Sequence, residues 1–202
     1  MNPSTIDALT RAVLGRIFVP VEASGRHVHL TVEQSMALFG HPLTQKRPLS
    51  QPGQYLSKER LTIRGPKGEF RNVAVLGPER KEAQVEVSLT DARVLGLDAP
   101  LRHSGEVQET PGILLVGPKG ELSLEQGVMA ALRHIHLDPA TAEAFGVRDR
   151  QLVRLQVASR RPVVFGEVLV RVRPDFAPAA HLDFDEANAC GLMPGDLGRI
   201  LP

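Results

Sequence analysis

The chain has 202 residues, 42% of them apolar, which is enough to bury a hydrophobic core in one large domain or two small ones. Its 24 basic and 23 acidic side chains nearly cancel, and no run of Lys or Arg stands out, so a nucleic-acid partner is not expected. The single cysteine, Cys190, excludes an internal disulfide, and no stretch approaches the roughly 20 apolar residues that span a bilayer. We therefore expect a cytoplasmic protein that does not enter a membrane.

The first predicted element is an N-terminal helix. Apolar residues recur at helical spacing between Thr5 and Phe18, after a polar residue that can cap the first turn. Such a helix either packs on the core of the protein or docks on a partner, and the residues leave both open.

Most of the remaining chain predicts strands. Its 16 prolines and 18 glycines are scattered among short runs of Val, Ile and Leu, a pattern of many short strands joined by tight turns. Two predicted hairpin turns repeat the letters Gly-Pro-Lys-Gly, at 65–68 and 117–120, and neither has the spacing of a P-loop. The fold class is therefore mainly β, as barrels or sandwiches.

An internal repeat carries the most information about function. The motif Arg-His-x-His-Leu occurs at 26–30 and again at 133–137, each time followed by a capping residue, a short helical stretch and a glycine. A second pair of segments, 86–97 and 181–192, aligns without a gap and sets Glu86 opposite His181. We therefore predict that one β-rich unit has been duplicated.

The repeated residues suggest two metal sites. Side chains two apart on a strand point to the same face, so each His-x-His pair can converge on one ion. Three ligands with an open position form the arrangement that catalytic zinc uses. The predicted ligand sets are His27, His29 and Glu86 in one copy, and His134, His136 and His181 in the other.

A cupin-type site is the rival interpretation of the first copy. Its spacing is met by His27-x-His29 together with Glu33 and Gly40. However, Glu33 falls in the first turn of a helix that Thr31 can cap, where the helix dipole favours an acid. The second copy has no equivalent acid, so Glu33 is interpreted as a helix-start residue.

At this point the chain resembles a known family. The segments SGRHVHLT, PLSQPGQY, VLGPERKEAQVEVSLTDARVLGLDAPLRHSG, ALRHIHL and HLDFDEANA are similar, in this order, to phosphate propanoyltransferases of the PduL type. The resemblance runs from about Val19 to Leu201. It implies two related β-barrel domains with interleaved connectivity, capped by short α-helices. One would comprise 1–23 and 132–202, and the other 24–131 with a Pro-rich loop at 41–57.

The resemblance also implies a site and a reaction. Two zinc ions would lie close together at the domain junction, the first ligand set meeting the coenzyme A sulfur and the second holding a more hydrated ion. Arg80 and Ser104 fall where the family binds phosphate, and Gln51 either lines the substrate pocket or belongs to a plain surface loop. The implied reaction interconverts a short-chain acyl-CoA (propanoyl, acetyl or lactoyl) and phosphate with an acyl phosphate and coenzyme A.

Two other functions remain open at the level of sequence. A zinc-dependent hydrolase would cleave the thioester with water, since zinc lowers the pKa of a bound water. A non-catalytic scaffold would use metal for stability alone. The resemblance further suggests residence in a bacterial microcompartment, with shell proteins bound through the N-terminal helix. Assembly as a homo-oligomer is left open by the sequence. Near the site motifs, His103 departs from the family pattern and is a candidate extra phosphate donor, whereas Cys190 is expected to be a packed residue.

Overall fold

The structure is a computed structural model that describes residues 17–201 together with Thr5, Leu14 and Gly15. The predicted N-terminal helix therefore lies largely outside the described residues. The chain forms two compact units. The first unit comprises the described residues up to Ser24, Arg133–Leu182 and the residues from Glu186 onward, and the second comprises Gly25–Leu132 and Asp183–Asp185. The predicted division into domains stays a prediction, because compactness alone does not show that each unit folds independently.

The described residues form short strands and helices in the following order. The strands are β1 (Val19–Ala23), β2 (His27–His29), β3 (Gln45–Pro48), β4 (Tyr55–Arg64), β5 (Glu69–Gly77), β6 (Gln84–Glu86), β7 (Leu101–Arg102), β8 (Ile113–Val116), β9 (Glu121–Leu124), β10 (Val128–Ala131), β11 (His134–Leu137), β12 (Leu152–Ala158), β13 (Val163–Val172), β14 (Ala179–Leu182) and β15 (Leu197–Leu201). The helices are α1 (Val32–Phe39), α2 (Leu89–Leu95), α3 (Pro139–Phe145) and α4 (Phe184–Cys190).

The first unit is a closed barrel with the strand order β1-β14-β11-β13-β12-β15. Strand β12 shows how its sequence makes the barrel wall. Val153, Leu155 and Val157 are buried, and the residues between them are exposed. Because successive side chains of a strand point to opposite faces, this alternation fills the barrel interior with apolar groups and leaves a polar outer surface.

The second unit contains a sheet with the order β7-β10-β6-β2-β5-β4-β8-β9, and β3 pairs with β4 beside this path. This sheet curls into a half-barrel. Its core includes Leu61 and Ile63 from β4 and Val73 and Val75 from β5. The prediction of a mainly β fold is confirmed. The predicted Pro-rich loop 41–57 differs in one respect, since it contains β3 and the start of β4.

All four helices of the described residues begin directly after a strand that carries predicted ligands. Thr31 and Ser88 accept hydrogen bonds from the backbone N–H groups of Gln34 and Asp91, which completes a capping box at each helix start. The side chain of Asp138 caps α3 by accepting from the backbone N–H of Thr141, and proline follows at the next position. The predicted order of strand, cap, short helix and glycine is therefore confirmed in both copies of the repeat.

The two Gly-Pro-Lys-Gly turns close hairpins, as predicted, and they also meet the ends of helices. The N–H of Lys67 donates to the carbonyl of Leu95 at 3.0 Å, and the N–H of Lys119 donates to that of Leu38 at the same distance. A Cβ at Gly65 would lie 2.3 Å from the Leu95 oxygen, so only glycine allows this approach. Each turn thus satisfies a carbonyl that the helix end leaves without an intrahelical partner.

Candidate metal centres and an adjoining polar network

In the second unit, two antiparallel strands bring a predicted ligand set together. His27 on β2 lies directly opposite Glu86 on β6, and Val28 lies opposite Val85. The two valines belong to the hydrophobic core, so the strand alternation turns His27, His29 and Glu86 to the opposite face. One ligand atom of each lies within 4.8 Å of the others. The structure brings these three residues together, and their role as ligands stays a prediction.

Hydrogen bonds orient the two imidazoles of this triad. The Nδ1 atom of His27 lies 2.8 Å from the carbonyl oxygen of Gly25, and that of His29 lies 3.3 Å from the carbonyl oxygen of Leu76. A carbonyl can only accept, so each Nδ1 carries the proton when the ring is neutral and each Nε2 carries a lone pair. The Nε2 atom of His27 lies 3.6 Å from Oε2 of Glu86. Both rings are therefore in the tautomer that a cation at the triad requires.

The pKa values of these two histidines move in opposite directions. Burial lowers the pKa of His27, but the carboxylate of Glu86 and the hydrogen bonds to Glu86 and Gly25 together outweigh it, and the pKa lies above 6.5. Burial holds the pKa of His29 well below 6.5, and the positive charges of His27 and Arg80 add to this effect. His29 is therefore neutral near pH 7, which is the form that can bind a metal.

In the first unit, the second ligand set forms in the same way. His134 on β11 lies opposite His181 on β14, another antiparallel pair, and His136 lies two residues further along β11. The Nδ1 atom of His181 is 3.2 Å from Nε2 of His134. One nitrogen of each of the three rings lies within 4.8 Å of the others.

His136 supplies a test of whether a metal fits. Its side chain is almost completely buried, yet neither ring nitrogen has a hydrogen-bond partner among the described residues. Burial, together with the neighbouring His and Arg charges, lowers the pKa of His136 to about 2. A buried polar atom without a partner costs free energy, and a cation bound by the neutral ring removes that cost. The donors, two imidazoles with a carboxylate and three imidazoles, are those that zinc prefers, so the residues fit zinc at both triads.

Glu22 adds a carboxylate beside the second ligand set. It lies next to His181 on the paired strand β1, and its Oε2 atom is 3.4 Å from Nε2 of His181. Since Nδ1 of His181 faces His134, the two nitrogens of this ring have different neighbours. A carboxylate behind a metal-binding histidine is a common outer partner in zinc sites. Sequence reasoning missed Glu22, because nothing in the motif indicates that β1 pairs with β14.

Each His-x-His strand is also tied to a nearby helix by an arginine. In the second unit, Arg26 donates two hydrogen bonds to Asp91 on α2, at 2.6 and 2.9 Å. In the first unit, Arg133 donates to Glu186 on α4 at 2.6 Å. Asp91 and Glu186 are matched positions in the sequence repeat, and each lies five residues after the third predicted ligand. The two copies of the sequence repeat therefore share an ion pair as well as the predicted ligands.

A polar network adjoins the triad of the second unit. Nη1 of Arg80 donates to Oγ of Ser104 at 3.3 Å, and Nε2 of Gln84 donates to the same oxygen at 3.0 Å. The Gln84 amide also donates to the carboxylate of Glu86 and accepts from the N–H of Gly105 at 2.7 Å. The structure thus links both predicted phosphate residues to a predicted ligand. Sequence reasoning missed Gln84, although its position two residues before Glu86 on one strand indicates the same face.

The other singled-out residues lie as follows. Gln51 is buried within 41–57, and its place in a substrate pocket stays a prediction. His103 is half-buried, and its backbone N–H donates to the carboxylate of Glu106. Glu33 is exposed in the first turn of α1, which confirms the helix-start interpretation. Cys190 is fully buried, and burial raises the pKa of its thiol, so it is the packed residue that was expected.

Fold and site together define a β-barrel protein with two sites suited to a metal, one of them beside an arginine-serine pair. The family profile for phosphate propanoyltransferase matches residues 20–193. The phosphate propanoyltransferase of Listeria monocytogenes is 50% identical over 200 residues, covering 98% of this chain and 94% of the relative. Those of Thermotoga maritima and Salmonella typhimurium are 53% and 43% identical, covering 90% and 95% of this chain and 88% and 93% of the relatives. The chain belongs to the phosphate propanoyltransferase family.

Proposed function

We propose that this protein transfers a short acyl group between coenzyme A and inorganic phosphate. Membership of the phosphate propanoyltransferase family supports a phosphate acyltransferase, and the names of the relatives favour propanoyl over acetyl or lactoyl as the acyl group. The observation that carries the proposal is local to the second unit. An arginine-serine pair, which suits an anion, is linked by hydrogen bonds to a triad that suits a cation.

Arg80 and Ser104 bind the phosphate in this proposal. The guanidinium of Arg80 presents a planar fork of N–H donors that matches two oxygens of a phosphate. Its backbone N–H donates to the carbonyl of Leu30 at 2.8 Å, which fixes the start of the side chain. Ser104 lies within hydrogen-bond distance of the guanidinium, so its hydroxyl can reach a further oxygen of the same anion.

The reaction itself is an acyl substitution. A phosphate oxygen attacks the thioester carbon, the carbon–sulfur bond breaks, and coenzyme A leaves as a thiolate while acyl phosphate forms. Holding a phosphate oxygen next to the carbonyl carbon, oriented for attack, lowers the barrier by roughly several kcal/mol. Arg80 and Ser104 supply that orientation.

Zinc is the ion we propose for both triads. His27, His29 and Glu86 would hold one ion, and His134, His136 and His181 the other. Bound zinc would supply Lewis-acid stabilisation of the leaving thiolate and of the acyl oxygen. The chain prepares these sites by fixing the tautomers of His27 and His29 through backbone carbonyls, and by keeping His29 and His136 neutral.

One assay separates acyl transfer from its alternatives. Purified protein is mixed with propanoyl-CoA, acetyl-CoA or lactoyl-CoA, and loss of the thioester absorbance is followed with and without phosphate. We expect loss only when phosphate, or arsenate in its place, is present, and we expect a chelator to stop it and added zinc to restore it. Loss without either anion would instead identify a thioester hydrolase, and no loss under any condition would favour a scaffold.

The cellular setting stays a prediction. Among the described residues, no helix has the length and apolar character needed to cross a membrane. Residence in the cytoplasm rests on the composition of the chain, and residence inside a bacterial microcompartment with docking on shell proteins rests on the family resemblance. Homo-oligomer formation is an open prediction.

A further inference from the structure

Gln84 lies between the two parts of the proposed site in the second unit. Its side chain is 1% exposed, on β6 opposite His29. A buried carboxamide has two donors and one acceptor to satisfy, and leaving any of them without a partner is costly. All three of these hydrogen-bonding groups have partners: Glu86, Ser104 and Gly105.

The hydrogen bond from Gly105 fixes which way the amide points. A backbone N–H can only donate, so the side-chain atom 2.7 Å from the Gly105 nitrogen must be the oxygen, Oε1. The nitrogen Nε2 then faces the other two partners. One of its hydrogens goes to Oε1 of Glu86 and the other to Oγ of Ser104.

This orientation determines the role of the Ser104 hydroxyl. A hydroxyl oxygen has two lone pairs, and here both face donors, Nε2 of Gln84 and Nη1 of Arg80. The hydroxyl hydrogen therefore points away from both and remains a donor. A donor is what an oxygen of an anionic phosphate requires.

The same amide orients the carboxylate of Glu86. The Oε1 atom of Glu86 accepts from Nε2 of Gln84, whereas the Oε2 atom of Glu86 faces His27 in the triad. A metal-binding carboxylate whose second oxygen is hydrogen-bonded keeps its direction, and loss of such an outer partner commonly lowers metal affinity by about 10- to 100-fold.

We propose that Gln84 is a positioning residue that acts on both parts of the site at once. It presents Oε2 of Glu86 to the cation and holds Ser104 as a hydrogen-bond donor to the phosphate. The second half of this proposal rests on the proposed acyl transfer, whereas the first half concerns metal binding alone.

The test compares variants that differ in which link they remove. Gln84→Met keeps the length of the side chain and removes all three hydrogen bonds of the amide. Ser104→Ala removes the phosphate donor, together with the oxygen that accepts from Gln84 and Arg80, and leaves the hydrogen bond from Gln84 to Glu86 in place. Gln84→Asn keeps a carboxamide that is one carbon too short to reach its partners, and it replaces the Met variant if that one does not fold. Thr110→Val is the control, because Thr110 is also buried and makes two hydrogen bonds, to Val107 and Gly127, without touching the network.

Two measurements are made on each variant, with the temperature of unfolding as a check on folding. The first is zinc affinity, by competition with a coloured chelator. Gln84→Met should weaken one of two sites about tenfold or more, whereas Ser104→Ala and Thr110→Val should leave both unchanged. The second is the KM for phosphate, which both Gln84→Met and Ser104→Ala should raise. The double variant should have the KM of Ser104→Ala alone, since Gln84 acts on the phosphate only through the Ser104 hydroxyl.

Three outcomes distinguish a positioning role of Gln84 from a purely structural one. If Gln84→Met lowers only the unfolding temperature, as Thr110→Val is expected to do, Gln84 is structural and the proposal is wrong. If the effects of Gln84→Met and Ser104→Ala on KM simply multiply, Gln84 does not act through Ser104. If the wild-type protein shows no phosphate-dependent turnover, the proposed function fails, and the zinc titration still decides whether Gln84 positions Glu86.

Discussion

Replacing Arg80 by methionine is the sharpest test of the phosphate site. Methionine keeps much of the aliphatic length and removes the charge and the fork of donors. Hydrogen bonds to charged groups contribute about 1.5–3 kcal/mol each. Because about 1.4 kcal/mol corresponds to a factor of ten, the loss of one such bond should raise the KM for phosphate roughly 10- to 100-fold. Arg80→Lys keeps the charge without the fork and should fall between wild type and Arg80→Met.

The assay is steady-state kinetics with varied phosphate at a saturating acyl-CoA concentration, then with the roles exchanged. Arg71→Met is a matched control in the same unit, since the Arg71 side chain is 82% exposed and pairs with Glu69 at the surface. It should leave both KM values unchanged. If Arg80→Met left the KM for phosphate within twofold of wild type while that for acyl-CoA rose, Arg80 would bind the coenzyme instead, and the assignment would be refuted.

Three further predictions concern the metal sites and the ion pairs beside them. Glu22→Ala removes the carboxylate behind His181 and should weaken zinc binding in the first unit about tenfold, measured by chelator competition; unchanged affinity contradicts an outer role. Arg26→Met leaves the buried carboxylate of Asp91 without its main partner and should lower the free energy of unfolding by about 2 kcal/mol, less than a fully buried pair because Arg26 is partly exposed. If the free energy of unfolding, measured with denaturant, changed by less than about 0.5 kcal/mol, the pair would not stabilise the fold. In the folded protein the pKa of His136 is lowered to about 2. Between pH 6.5 and 2 the unfolded chain therefore binds a proton at this ring and the folded chain does not. Metal-free protein should therefore lose about 1.4 kcal/mol per pH unit on acidification below 6.5, and His136→Gln should lose less; parallel pH profiles would contradict this.

Both triads could be predicted because their signals are local and repeated. Two histidines at a spacing of two on a strand must share a face, and the second aligned segment supplies the third position in each copy. The helix starts at Thr31 and Asp138 were predictable for the same reason, since a cap depends on residues within one turn.

The polar network beside the triad could not be predicted in full. Arg80 and Ser104 came from the family resemblance, and Ser104 is linked to the triad by Gln84, which is 20 residues from Ser104 along the chain. Hydrogen bonds between distant side chains depend on how the loops close, and no short-range pattern records that. The pairing that sets Glu22 beside His181 is of the same kind, since it requires the order of strands in the barrel.

His27 lies directly opposite Glu86, and His134 lies directly opposite His181. Each triad therefore forms only when its two strands pair in the correct register. If either pair of strands slipped by a single residue, the third side chain would turn to the apolar side of the sheet and a valine or an alanine would take its place. A misregistered chain would therefore lack the donors for a third coordination bond. If the triads bind zinc as proposed, retention of the metal during purification would separate correctly paired molecules from misfolded ones.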